Sequence, residues 1–164
     1  MAVVTLQRQN LLKFEMPMKN VNLQNVAPSA RRSISEIIVH CSATPQGREV
    51  TVADIDRSHR QRGFNGIGYH YLVGLDGTVG FGRDERIAGA HCSGHNSRSV
   101  GVCYVGGVDA RMQPKDTRTA EQRESLRQLI TLLRQRYPQA TVHGHREFAA
   151  KACPCFDASA EYGA

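Results

Sequence analysis

The sequence predicts a single α/β domain in which helices flank a mixed central β-sheet. Strand-like segments alternate with two amphipathic helical segments, and a tight turn joins two of the strands. Parallel strands connected by helices, together with one antiparallel hairpin, make a mixed sheet. A chain of 164 residues suffices for one domain with a sizeable core. We assign residues 1–33 to an N-terminal extension and residues 34–164 to the folded domain.

Segments rich in β-branched and aromatic residues predict five strands. They cover residues 36–41, 69–72, 78–81, 99–105 and 140–143. The first, EIIVHC, is apolar along most of its length and is therefore expected to be buried on both faces. Asp76-Gly77 lies between the second and third segments and is typical of the turn of a β-hairpin.

Capping patterns predict where two helices begin. Thr51 with Asp54, and Thr119 with Gln122, have the spacing at which each side chain binds the backbone N–H of the other residue. Gly63 is a fitting end for the first helix. The second helix carries apolar residues on one face, at Leu126, Leu129, Ile130 and Leu133.

The remaining segments are predicted as loops, and one of them has a functional composition. Residues 83–99 are rich in Gly, Ser, His and Asn, which is typical of a loop that carries function. Within the extension, polar and apolar residues alternate over 20–26, which predicts a short edge strand.

The positive charge argues against a nucleic-acid-binding domain. The chain has 21 Lys and Arg residues against 15 Asp and Glu residues, a formal net charge of +6. Most of the excess lies in residues 1–33, a polar segment rich in Asn and Gln, whereas nucleic-acid-binding domains concentrate charge on a folded face. We therefore expect no nucleic-acid partner, while attraction to an acidic polymer such as the bacterial cell wall stays open.

Neither a membrane span nor a secretion signal is predicted. The sequence has no apolar stretch of about 20 residues. Arg8 and Lys13 interrupt the apolar residues near the start, so no signal-peptide core is formed. We expect synthesis in the cytoplasm without Sec export, and no insertion into a membrane.

Histidines and cysteines supply candidate metal ligands. The five cysteines are an odd number, which argues against a fully paired disulfide framework. His40, His145 and Cys153 would offer two imidazoles and one thiolate, a set that suits Zn²⁺ and leaves a fourth position for water. Spacing alone leaves two alternatives open, because His143 and Cys155 each lie two residues from a candidate. A hydrogen-bonded core histidine and a buried thiol are the structural alternative.

Several short motifs resemble those of zinc N-acetylmuramoyl-L-alanine amidases. They occur in the family's order and span about residues 36–157, and together they are far more specific than any one alone. The motifs are VHCSAT at 39–44, GYHY at 68–71, GAH at 89–91 with Asn96, SVGV at 99–102, GG at 106–107, GHRE at 144–147 and KACP at 151–154. The closest likeness is to short phage lysozymes of the amidase type, and animal peptidoglycan recognition proteins are more distant.

This resemblance implies a zinc-dependent peptidoglycan amidase over residues 34–164. Such an enzyme hydrolyses the amide bond between N-acetylmuramic acid and the L-alanine of the stem peptide. The motif match favours His145 over His143 and Cys153 over Cys155, and with His40 these residues become the predicted zinc ligands. Relatives often have Ser or Gly where this chain has Cys155.

The resemblance also implies roles for residues beside the metal. Tyr69 matches a tyrosine that assists the attacking water, and Lys151 matches a lysine that stabilises the oxyanion, although some relatives have Thr there. Three residues in matching segments are predicted as substrate contacts: His70, His91 and Asn96. The implied substrate is a peptidoglycan muropeptide, and the implied setting is phage lysis or wall remodelling, after release by another route such as a holin pore. We expect a monomer.

Two other functions are compatible with the same family. Relatives that lack the cysteine ligand bind peptidoglycan without cutting it, but Cys153 is present here. Some phage amidases also inhibit a phage RNA polymerase, and the sequence offers no signature for that regulatory role.

Other residues are predicted to be structural. Tyr71 and Cys41 are interpreted as core, His59 as a packed residue on a helix face, and His95 as an exposed loop residue. The basic residues of the second helix are interpreted as a solvated face: Arg123, Arg127, Arg134 and Arg136.

Overall fold

The computed structural model describes residues 32–164, and its centre is a five-stranded sheet. The strands are β1 (Glu36–Cys41), β2 (Thr44–Pro45), β3 (Tyr71–Val73), β4 (Val79–Phe81), β5 (Ser99–Tyr104), β6 (Gly107–Val108) and β7 (Thr141–Gly144). The helices are α1 (Val52–Gln61), α2 (Ala120–Arg136) and α3 (Ala158–Tyr162). No helix in residues 32–164 is both long and apolar enough to cross a bilayer.

The sheet is mixed, as the sequence predicts. Its order is β4-β3-β5-β1-β7; β4 is antiparallel to β3, and the other neighbours are parallel. The short strands β2 and β6 form a separate parallel pair. Because β5 and β7 flank β1 in parallel, the carboxyl ends of these three strands meet at one edge of the sheet.

Helices cover both faces of the sheet, and side-chain alternation divides the core accordingly. Val102 belongs to the larger cluster, which contains the apolar face of α2, whereas Cys103 belongs to the smaller cluster with Ile55 of α1. Cys41 is buried in the larger cluster, so its interpretation as core is confirmed. His40 is adjacent in sequence and therefore projects to the opposite face, on the side of α1.

The helix starts are formed as predicted. Thr51 and Thr119 are the N-caps of α1 and α2, and both capping boxes are complete. Helix α3 was not predicted; it begins after Asp157, whose carboxylate accepts the backbone N–H of Ala160 at 3.0 Å. The strands β2 and β6 were also missed, because two-residue strands have no periodicity to detect.

A buried carboxylate joins α2 to the hairpin region. Glu85 is 3% exposed and accepts hydrogen bonds from the hydroxyls of Tyr71 and Tyr137 and from the Arg136 guanidinium. Tyr71 is thus core, as predicted. The prediction that Arg136 belongs to a solvated face is wrong, because the chain brings a buried carboxylate to the end of α2.

Arg32, which we assign to the extension, contacts the folded domain. The Arg32 guanidinium donates to the backbone carbonyls of Glu85, Asn96, Ser97 and Ser99 at 2.8–3.2 Å. These bonds attach Arg32 to the predicted functional loop, so Arg32 is part of the folded body. The edge strand predicted over residues 20–26 lies outside the described residues.

Candidate active site

Three predicted ligand side chains meet at the carboxyl edge of the sheet. His40 lies near the end of β1, His145 directly follows β7, and Cys153 lies in the next loop. The pairing of Val39 with Gly144 brings the first two together, with their ring centroids 4.6 Å apart. One donor atom from each of the three lies within 4.8 Å of the others. Among residues 32–164, no other set of three or more His, Cys, Asp and Glu side chains comes together in this way.

Backbone contacts hold the Cys153 loop against the sheet. The N–H of Arg146 donates to the carbonyl of Cys153 at 2.7 Å, and the N–H of Cys41 donates to the Cys153 Sγ at 3.2 Å. Gly144 permits the close approach, because a Cβ there would lie 2.8 Å from Cδ of Pro154. These contacts place the Cys153 sulfur beside the end of β1.

Both histidines of the group are held neutral. Burial, followed by the neighbouring His91, His145 and Lys151, lowers the pKa of His40 well below its ordinary value. Burial and the Lys151 ammonium likewise lower the pKa of His145. Neutral imidazoles carry the lone pairs that a metal needs, and two imidazoles with one thiolate form a donor set suited to Zn²⁺. The residues present therefore fit a zinc ion.

The two alternative ligands lie outside this group. Nδ1 of His143 is 2.7 Å from Oε2 of Glu147, and its Nε2 is 2.8 Å from Oγ1 of Thr141. His143 lies within β7, whereas His145 follows it, because β7 ends at Gly144. The Cys155 thiol instead donates to the carbonyl of Gly107 at 3.2 Å.

Tyr69 and Lys151, the two residues predicted beside the metal, line the same cleft of about 590 Å³. The Tyr69 ring centroid is 5.1 Å from that of His40. Burial raises the pKa of Tyr69 well above its ordinary value, so the hydroxyl keeps its proton. Lys151 is an exposed residue of the cleft lining.

The three predicted substrate contacts have different surroundings. His91 and Asn96 line the cleft. Asn96 Oδ1 accepts the N–H groups of His91 and Cys92, at 2.9 and 3.0 Å, so its amide NH₂ is the part left to meet a substrate.

His70, the third of these residues, lies away from the cleft wall. It is 1% exposed and is absent from the cleft lining. Its Nδ1 accepts the N–H of Gly101 at 2.9 Å, and its Nε2 lies 2.9 Å from the carbonyl of Ile87. Both ring nitrogens of His70 are therefore bonded to backbone groups.

Sequence reasoning missed several residues of the cleft wall. His59 was predicted to be structural, and its Nδ1 does accept the N–H of Gly68 at 2.9 Å, but the residue also lines the cleft. Phe64 and Phe148 line it as well, and Phe64 is 38% exposed. An aromatic residue directly after the glycine that ends a helix was the available signal for Phe64.

The prediction that His95 is an exposed loop residue is wrong. Its side chain is 19% exposed, stacks on Phe148 with centroids 3.9 Å apart, and lies 2.9 Å from a carboxylate oxygen of Glu36. These contacts come from β1 and from the segment after β7, so they depend on the tertiary fold.

Comparison with known proteins identifies the family. The sequence profile of the N-acetylmuramoyl-L-alanine amidase family matches residues 30–156. The chain belongs to this family. The endolysin of Klebsiella phage KP32 is 44% identical over 127 residues, which cover 77% of this chain and 84% of the relative. The family and the enzyme class predicted from the motifs are thus confirmed. The segment matched by the family profile includes Arg32.

Solved structures extend the comparison. The amidase LysC from Clostridium intestinale superposes with a TM-score of 0.69 at 29% identity, over 81% of this chain and 84% of its own. A tyrosine-to-phenylalanine mutant of Drosophila PGRP-LB, in complex with tracheal cytotoxin, gives a TM-score of 0.66 at 26% identity, over 80% of this chain and 81% of its own. The α/β fold predicted for this amidase family member is therefore confirmed.

Proposed function

We propose that the chain is a zinc-dependent lytic amidase that cleaves the bond between N-acetylmuramic acid and the L-alanine of the stem peptide. The observation that carries this proposal is the convergence of His40, His145 and Cys153 in a cleft also lined by Tyr69 and Lys151. Ligands and reaction-assisting groups thus share one solvent-accessible space large enough for part of a glycopeptide.

His40, His145 and Cys153 would hold the zinc ion. A zinc ion bound there would supply a water of lowered pKa, from about 15.7 toward 7, and would polarise the carbonyl of the scissile amide. Three protein ligands leave one position open, which is typical of catalytic rather than structural zinc sites.

Tyr69 is suited to donate a proton rather than to remove one. Its raised pKa keeps the hydroxyl protonated at neutral pH. From its place beside His40 it can orient the attacking water by a hydrogen bond, or deliver a proton toward the leaving amine.

Lys151 is suited to stabilise the oxyanion that forms when the amide carbonyl becomes tetrahedral. It lines the same cleft as His145, and its ammonium contributes to lowering the pKa of that ring. One such donor typically contributes about 10²–10³ in kcat.

The cleft is also suited to a peptidoglycan fragment. Its walls combine polar groups, including the Asn96 amide, with the aromatic rings of Phe64 and Phe148. The related PGRP-LB is described in complex with tracheal cytotoxin, which supports the same ligand class here. Binding without hydrolysis is the weaker alternative, because the full donor set is present. The phage endolysins among the relatives favour action on the cell wall after release from the cell.

The deciding experiment is digestion of purified peptidoglycan with the full chain, with a chelator, and with chelator followed by zinc. Mass analysis of the products identifies the bond that is cut. We expect new amino-terminal alanine without chelator, its loss with chelator, and its return with zinc. New reducing sugar ends would identify a glycosidase and overturn the proposal, and cleavage unaffected by chelator would remove the zinc requirement.

A further inference from the structure

We propose that His91 is a positioning residue that fixes the tautomer and ring orientation of His40, rather than primarily a substrate contact. The inference rests on the proposed metal centre and deepens it. The observation behind it is a buried chain of three side chains that leads away from the proposed metal: His40, His91 and Ser99.

The two ring nitrogens of His40 face different partners. Nδ1 lies 3.9 Å from the Cys153 Sγ, on the side of the ligand group, whereas Nε2 lies 2.8 Å from Nδ1 of His91. A neutral imidazole that binds a metal through one nitrogen carries its proton on the other. His40 must therefore donate from Nε2, and His91 must accept at Nδ1.

This assignment determines the proton of His91 in turn. With Nδ1 accepting, the neutral His91 ring carries its proton on Nε2, which lies 3.2 Å from the Ser99 Oγ. The Ser99 hydroxyl can accept from this Nε2–H, so it satisfies the His91 tautomer that accepts from His40. The order of donation runs from His40 to His91 to Ser99, and it leaves Nδ1 of His40 with its lone pair toward the ligand group.

The surroundings hold this chain rigidly. The exposed fractions of His40, His91 and Ser99 are 1%, 9% and 0%, so water competes little for the bonds. The His91 ring packs directly over β5 at Gly101, where a Cβ would lie 2.6 Å from its Cδ2. The backbone N–H of His91 is held by Asn96. Because the His91 ring is held on these sides, its hydrogen bond can hold the His40 ring in one orientation.

Zinc affinity, measured directly by competition with a chelator, tests this role. The variants are His91→Phe, which keeps an aromatic ring but removes the acceptor; His91→Asn, whose amide oxygen can accept near the position of Nδ1; and Ser99→Ala. His59→Phe is the matched control, because it removes another buried imidazole of the cleft wall that does not contact a predicted ligand. The absorption spectrum of Co²⁺ placed in the site gives a second reading that is independent of activity.

We expect His91→Phe to weaken zinc binding about 10–100-fold, the usual cost of losing such a partner, and to alter the Co²⁺ spectrum. His91→Asn should recover part of that affinity, Ser99→Ala should lose roughly tenfold at most, and His59→Phe should bind zinc as the wild type does. If His91→Phe does not fold, the zinc affinities of the wild type, His91→Asn and Ser99→Ala are compared instead, and both variants should bind zinc more weakly than the wild type.

Unchanged zinc affinity and an unchanged Co²⁺ spectrum in the folded His91 and Ser99 variants would overturn the inference. A rise in KM as the sole effect would do the same and would make His91 a substrate contact. Failure of the metal centre itself is distinguishable, because the wild-type protein would then bind no zinc.

Discussion

The end of β1 and the start of β3 each carry a fully buried histidine, and the two differ in what their ring nitrogens contact. His40 and His70 are both 1% exposed. In His70, one ring nitrogen accepts the N–H of Gly101 and the other bonds the carbonyl of Ile87. In His40, Nε2 is bonded to the ring of His91. Its Nδ1 faces the Cys153 sulfur. Burial alone therefore does not distinguish a histidine that could bind a metal from one bonded only to the backbone, whereas the partners of both ring nitrogens do.

The largest effect is expected when a predicted zinc ligand in the group that contains His40 is replaced. Cys153→Ser replaces a thiolate with a hydroxyl, which is a poor zinc ligand, so zinc and activity should be lost together. Cys155→Ser is the matched control, because its thiol donates to Gly107 outside the ligand group. Elemental analysis and peptidoglycan turnover measure both properties. Zinc lost from the Cys155 variant and kept by the Cys153 variant would show that the ligand is misassigned.

A second prediction separates metal binding from catalysis within the same cleft. Lys151→Ala should keep zinc and fold normally, because the side chain is exposed, but kcat should fall about 10²–10³-fold. Since the ammonium would act on charge that develops during the reaction, KM should change little. Turnover kinetics at full zinc occupancy test this, with Tyr69→Phe as a companion that keeps the ring. Near-normal kcat would exclude Lys151 from the mechanism.

The structural side of the comparison is tested by His70→Phe. This change leaves the N–H of Gly101 and the carbonyl of Ile87 without their partner, at a cost of about 1–3 kcal/mol for each buried group. Urea unfolding of the metal-free protein should show this loss, while zinc affinity stays near that of the wild type. The matched His40→Phe protein should lose zinc affinity, while the stability of its metal-free form changes less. A His70 variant that is stable but fails to bind zinc would refute the distinction.

Lowering the pH should destabilise the protein through its buried histidines. Burial lowers the pKa of His70 to about 4 and that of His91 to about 3. Both values are below the ordinary histidine pKa, so between about pH 6.5 and 4 the unfolded chain binds more protons and stability falls as the pH falls. Urea unfolding of metal-free protein across this range measures the slope. His70→Phe should reduce it by about 1.4 kcal/mol per pH unit, and a wild-type stability that is flat down to pH 5 would contradict the prediction.

The smallest effect is expected at the junction with the extension. A chain that begins at Arg32 should remain soluble and active, because residues 1–31 lie outside the predicted motifs. Arg32→Ala should instead lower the free energy of unfolding by about 1–3 kcal/mol, since it removes bonds to the carbonyls of Glu85 and Ser99. Urea unfolding and a turnover assay compare the two proteins. An inactive truncation would place part of the extension in the fold.

Local signals were sufficient for much of this fold. The capping boxes of α1 and α2 join residues three apart, so Thr51 and Thr119 could be recognised without knowledge of the rest of the chain. The β-branched run of β1 was bounded correctly for the same reason. Tyr69 and Lys151, by contrast, were found through motif resemblance and not through any local physical signal.

The tertiary structure decided the partners of the buried polar groups. Whether His70 contacts substrate depends on Ile87 and Gly101, which lie 17 and 31 residues further along the chain. The choice between His143 and His145 depends on where β7 ends against β1. A sequence reveals which side chains can donate or accept, but distant strands and loops supply the matching groups, and only folding brings them within hydrogen-bond distance.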